Sequence, residues 1–175
     1  MRLFHTKKIA FLGVMAGVLF VLSYLENIVP VNFGVPGVKF GFSNIVIIVL
    51  LLDENSLVKS FKYPLMMTII KIIIGTFVFG TISAFLFTFL GSASSFLSMY
   101  LAAFSAKGKI GAVGISVIGG FLHITAQYFS ASIILSSNFV WSAYPLSALL
   151  TLVTSVITGM LAYVVIKRTS YFHYL

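Results

Sequence analysis

Long apolar runs, broken by small clusters of charge and by Gly and Pro, set the pattern of this chain. A helix that crosses a bilayer needs about 20 mainly apolar residues in succession. With charges and Gly/Pro breaks as punctuation, the runs predict six helices, at 8–28, 40–53, 62–80, 83–104, 110–135 and 142–166. The expected fold is all-α: one integral membrane bundle of six transmembrane helices over residues 1–175. No low-complexity segment or internal repeat interrupts it. The first run is too long for a signal-peptide core and lacks a small-x-small site near its end, so it is expected to stay as a helix.

The basic residues orient this arrangement. Arg2, Lys7 and Lys8 precede the first helix, Lys59 and Lys62 separate the second from the third, Lys107 and Lys109 the fourth from the fifth, and Lys167 and Arg168 follow the sixth. All fall on one side of a six-span chain, which the positive-inside rule makes the cytoplasm, with both termini there and the protein in the cell membrane. The opposite loop, Asn27 to Lys39, holds Pro30, Gly34, Pro36 and Gly37, which deny it regular helix. Pro36 and Gly37 therefore mark a candidate lid.

Composition narrows the function classes. The chain is 60% hydrophobic and 8% charged, a balance that requires lipid contact. Its net charge of +8 is dispersed beside apolar runs instead of massed on one face, which argues against nucleic acid. There is no Cys and there are only three acidic residues, so thiolate sites and paired aspartate-rich Mg²⁺ motifs are excluded. No P-loop or nucleophile-base pair is visible. The expectation is a non-enzyme without metal or cofactor.

Small and polar residues at three- or four-residue spacing mark helix faces that pack in lipid. Such stripes are Ala10, Gly13 and Gly17; Thr68, Lys71 and Gly75; Gly91, Ser95, Ser98 and Ala102; Ser116, Gly120, His123 and Gln127; and Ser147, Thr151, Thr154 and Thr158. The Gly13-x-x-x-Gly17 groove on the first helix could receive either another helix of this chain or a partner subunit.

A charge at the bilayer centre costs about 3 kcal/mol even on the lenient insertion scale, so ionisable groups inside spans need a protein interior or a wet cavity. Glu26, Lys39, Asn44, Lys71, His123 and Gln127 come from four helices and fall at similar depth, between the midplane and the outer surface. They are the candidate substrate-binding residues of a pocket opening outward. Lys39 and Lys71 could meet an anion, while Asn44, His123 and Gln127 could orient it. Glu26 could pair with either lysine or meet a basic part of the ligand, and Tyr24 and Trp141 could cover an apolar part.

At these positions the chain resembles a known family. Leu22-Ser-Tyr-Leu-Glu26, Pro36-Gly-Val-Lys-Phe-Gly-Phe-Ser-Asn44, Lys71 with Gly75 and Gly80, and Ser116-Val-Ile-Gly-Gly-Phe-Leu-His123 with Gln127 look like the Gx transporter family, also labelled heptaprenyl diphosphate synthase component I. The likeness runs from about Ile9 to Ala162. Where that family has His-Asn with Gly-Gln, this chain has His123-Ile124 and Ala126-Gln127, and Lys71 stands where Arg is common.

The family is similar to the substrate-binding S components of energy-coupling factor (ECF) transporters. The resemblance therefore implies uptake of a vitamin-like or precursor molecule, together with a transmembrane coupling subunit and two ATPase subunits. It also implies partner docking through Ala10, Gly13, Ala16 and Gly17. The rival expectations are a membrane accessory protein of prenyl diphosphate or quinone biosynthesis and a purely structural subunit of an electron-transfer complex.

Overall fold

The computed structural model describes residues 2–28, 41–52, 61–79, 82–106 and 109–172. Six α-helices make up nearly all of these: α1 Arg2–Ile28, α2 Asn44–Leu52, α3 Lys62–Phe79, α4 Ile82–Ala106, α5 Ala112–Ile134 and α6 Tyr144–Phe172, with a 3₁₀ turn Asn138–Ala143 ahead of α6. The all-α expectation holds. Four spans are long and apolar enough to cross a membrane: Lys8–Glu26, Phe85–Ala106, Ala112–Ile134 and Asn138–Thr169. α3, with 18 residues, is about 27 Å long at 1.5 Å per residue.

The second helix departs from its predicted 40–53. It begins at Asn44, because Gly41 takes φ +81°, a left-handed backbone that ends helical continuity. Its nine residues reach about 14 Å, half of a hydrocarbon core of about 30 Å. The residues from Asn44 to Leu50 are all buried, as an all-round apolar helix requires. α2 touches each of the other five helices and is the centre of the bundle.

Both ends of the last helix also differ from 142–166. Ser137 caps the 3₁₀ turn by accepting from the Phe139 N–H at 3.2 Å, and Pro145 sits in the first turn of α6, where its missing N–H costs nothing. At the far end the helix runs through Lys167 and Arg168 to Phe172, since a basic pair does not break a helix. α1 likewise starts at Arg2 instead of residue 8.

Two apolar clusters frame the interior. The larger gathers Met15 and Leu19 of α1, Ile45–Leu50 of α2, Met67 of α3, Phe96 and Met99 of α4, Ala112 and Ile115 of α5, and Ala162 of α6. The smaller joins Phe87, Ile124, Tyr128, Ala131 and Val140, with Trp141 and Tyr144 against it. Between them each of α1 to α5 contributes polar groups, and chain direction alternates. Residue number rises from the larger cluster into the polar layer on α1 (Leu19 to Glu26), α3 (Met67 to Lys71) and α5 (Ile115 to His123), and falls on α2 and α4. α6 runs antiparallel to α5, pairing Tyr128 with Ser147, Ser116 with Ser155 and Val113 with Gly159. Among the described residues, Lys8, Lys62, Lys109, Lys167 and Arg168 all lie beyond the larger cluster, and Lys8 stands 4.3 Å over the Tyr63 ring.

Four of the five stripes face inward: Lys71, Gly75, Gly91, Ser95, Gly120, His123, Gln127 and Thr151 are all buried. Gly159 lets α6 approach so closely that a Cβ there would stand 2.5 Å from the Val113 backbone. The stripe of α1 faces the other way. Ala10, Gly13 and Gly17 are exposed, and a Cβ on either glycine would meet nothing within 4 Å. Within the described residues, the groove therefore receives no helix of this chain.

Candidate functional site

The polar layer is a hydrogen-bonded cluster anchored on the turn that starts α2. Gly41 allows the chain to double back, and the Asn44 N–H donates to the Gly41 carbonyl at 3.0 Å. A side chain at Gly41 would be strained, and its Cβ would lie 2.9 Å from Asn44 Nδ2. The turn delivers Ser43 to α1 and Asn44 to α3 and α4. Ser43 donates twice to the Glu26 carboxylate, from its backbone N–H at 3.0 Å and from Oγ at 2.9 Å. Asn44 accepts from Lys71 Nζ at 2.7 Å through Oδ1 and donates to Ser95 Oγ at 3.0 Å through Nδ2. One short turn thus holds a carboxylate and an ammonium from two different helices.

α5 closes the other side. His123 and Gln127, one helical turn apart, meet through Nε2 atoms at 3.2 Å, and both are buried. Gly91 of α4 is required for this approach, because a Cβ there would stand 2.9 Å from His123 Cε1 and 3.1 Å from Gln127 Cγ. Gly75 plays the same part between α3 and Thr88 of α4.

These residues surround a cavity lined by Ser23, Glu26, Lys71, Gly75, Thr88, Ser92, His123 and Gln127. All are polar or Gly. Its free volume of ≈ 10 Å³ has room for about one water molecule. The Ser92 hydroxyl is buried and has no hydrogen-bond partner among the described residues. Glu26 and Lys71, though they line the same space, form no direct ion pair there; their attraction acts across the gap.

The structure therefore brings together Glu26, Asn44, Lys71, His123 and Gln127. Asn44 stands behind the lining and positions Lys71. The expected outward-opening pocket is a small, nearly filled cavity. Lys39, Pro36 and Gly37 lie outside the described residues. Tyr24 is half-exposed and stacks on Phe20, and Trp141 packs with Tyr128 and Tyr144, so neither covers the cavity. On α1, Ala16 packs against the larger cluster and separates from the open face of Ala10, Gly13 and Gly17. Trp141 instead borders an apolar surface groove of ≈ 440 Å³ with Leu97, Leu101, Leu122 and Phe129. Among the described residues, no three His, Asp or Glu come together as a metal-binding group.

Sequence reasoning passed over Ser23, Ser43, Thr88 and Ser92 as site residues. Ser23 is one turn from Glu26, and Thr88, Ser92 and Ser95 share the face of Gly91. A repeat of hydroxyls on that face was the available signal.

The chain belongs to the family described as heptaprenyl diphosphate synthase component I, whose model matches residues 15–165. That range includes every residue lining the cavity. No curated protein and no solved structure matches the chain. The family is named for an accessory component of that synthase, in agreement with the expectation that the chain is not itself an enzyme.

Proposed function

We propose that this membrane protein is the substrate-binding subunit of an importer of the ECF type, holding a small organic solute between Glu26, Lys71, His123 and Gln127 once the polar layer parts to widen the cavity there. The observation that carries the reading is the cavity itself. A carboxylate, an ammonium, an imidazole and several hydroxyls converge from α1, α3, α4 and α5 at one level of an apolar bundle, where isolated charges are costly. A subunit serving only as a scaffold has no need of that expense.

In this reading all six helices belong to a bundle that crosses the cell membrane. The alternating helix directions and the gathering of Lys8, Lys62, Lys109, Lys167 and Arg168 at one end support cytoplasmic termini. Loop residues Lys39, Pro36 and Gly37 form the outer lid. A transmembrane coupling subunit docks on the open face of α1 at Ala10, Gly13 and Gly17, and two ATPases supply the energy. Lys39 and Lys71 favour an anionic substrate, while Lys71 shares its cavity with Glu26.

The family name favours a second reading, a membrane accessory that assembles with a prenyl diphosphate synthase. Among the described residues, an isoprenoid tail would find no apolar side chain in the polar cavity and would have to use the groove beside Trp141.

The test is mass spectrometry of small molecules that co-purify with the wild-type chain and with Lys71→Ala. A polar solute carried by the first and lost from the second is the expected result. Purification without any solute, together with unchanged uptake in cells carrying Lys71→Ala, would overturn the importer reading.

A further inference from the structure

Glu26 and Lys71 place opposite charges on the wall of one cavity without touching each other. Mutual neutralisation would be served by direct contact, since two buried charges desolvated separately are the more expensive arrangement. Each is held instead by a neutral group of the α2 turn, Ser43 on the carboxylate and Asn44 on the ammonium. Ser92 adds a buried hydroxyl that has no partner among the described residues and borders the same space. Among the described residues, every side chain lining the cavity is polar.

We infer that the ligand is a small zwitterion, its anionic end answered by Lys71 and its cationic end by Glu26, with Ser92, His123 and Gln127 hydrogen-bonding the atoms between. The inference rests on the substrate-binding reading and names its ligand class. Selectivity follows from charge on both sides. A simple anion would bring a second negative charge to Glu26, and a simple cation a second positive charge to Lys71; like charges brought together in a buried site are strongly disfavoured. Entry requires the layer to part, with Glu26 and Lys71 exchanging Ser43 and Asn44 for ligand groups of opposite charge.

The experiment is a titration of the full chain in lipid nanodiscs with glycine, β-alanine and γ-aminobutyrate, each set against propionate and propylamine, which carry one charge. At least one zwitterion should bind at least tenfold tighter than either singly charged probe. Glu26→Gln should raise propionate to parity, and Lys71→Met should do so for propylamine. Should either variant fail to fold, the wild-type comparison decides alone. Propionate or propylamine binding as well as every zwitterion would overturn the zwitterion class while leaving the importer reading intact. Absence of zwitterion binding would overturn it too, and the importer reading would then stand or fall on the co-purified solute.

Discussion

Replacing Asn44 by Ala removes two hydrogen bonds that tie α2 to α3 and α4. The first, from the Lys71 ammonium at 2.7 Å, is charge-assisted and on the scale of soluble proteins contributes about 1.5–3 kcal/mol; the second, to Ser95 at 3.0 Å, contributes about 1 kcal/mol. Interhelical hydrogen bonds in lipid average nearer ~0.6 kcal/mol and reach ~1.7 kcal/mol, because freed groups find other partners. The geometry decides between these scales. Ser95 Oγ loses only a neutral donor and keeps its own O–H to donate elsewhere, so the lower figure suits it. Lys71 is 4% exposed, and the adjoining cavity offers room for about one water, so most of its loss is uncompensated. The expected destabilisation is about 2 kcal/mol, with Ser95→Ala at roughly 0.6 kcal/mol. Trp141, the single tryptophan, packs against Tyr128 and Tyr144 and reports unfolding by its emission. A double-mutant cycle of Asn44→Ala with Lys71→Met should give a coupling energy of about 1–2 kcal/mol. Coupling below about 0.3 kcal/mol would show that Asn44 does not hold Lys71, and the account of the turn as a clamp would be refuted.

Two further outcomes test the turn and the open face. Gly41→Ala should cost about 1–3 kcal/mol in the same unfolding measurement, since φ +81° is unfavourable for a side chain and the new Cβ meets Asn44 Nδ2 at 2.9 Å. Gly13→Leu should leave unfolding unchanged within about 0.5 kcal/mol, because that site has no neighbour within 4 Å, yet should abolish capture of the proposed coupling subunit in a pull-down from native membranes.

The residues most legible in the sequence were those whose chemistry conflicts with hydrocarbon. Lys71 within an Ile-rich run and Glu26 at the end of another announce a shared interior, and the helical period puts His123 and Gln127 on one face. Hydroxyls give no comparable signal. Thr68, Thr76, Ser130 and Thr158 satisfy themselves on carbonyls four residues back, whereas Ser43 and Ser95 cross to other helices; sequence does not separate the two habits. The start of α2 was hidden because Phe40, Gly41 and Phe42 read as part of an apolar run, while the break depends on one backbone angle. The stripe of α1 has the same spacing as the inward ones. Only the packing of the other helices decides that it faces out.

The walls of the cavity are secured in different ways. α4, α5 and α6 approach through glycines: Gly91 against His123, Gly119 against Met99, Gly120 against Ser155, and Gly159 against the Val113 backbone. Close contact of this kind leaves little room for adjustment, because interiors are packed as densely as organic crystals. α1 is the least buried of the four helices long and apolar enough to cross a membrane, and a Cβ on Gly13 or Gly17 would meet nothing within 4 Å. On its side of the layer, Glu26 is joined to the bundle by the two hydrogen bonds from Ser43. The carboxylate is therefore held to the polar layer by two bonds from one serine, which the proposed zwitterion's ammonium would replace, while His123 and Gln127 stand on a wall fixed by close glycine approach. A site that admits a solute and then encloses it needs one firm surface to define the ligand and one exchangeable attachment to sense it, and the two kinds of contact around this cavity are what the proposed binding role calls for.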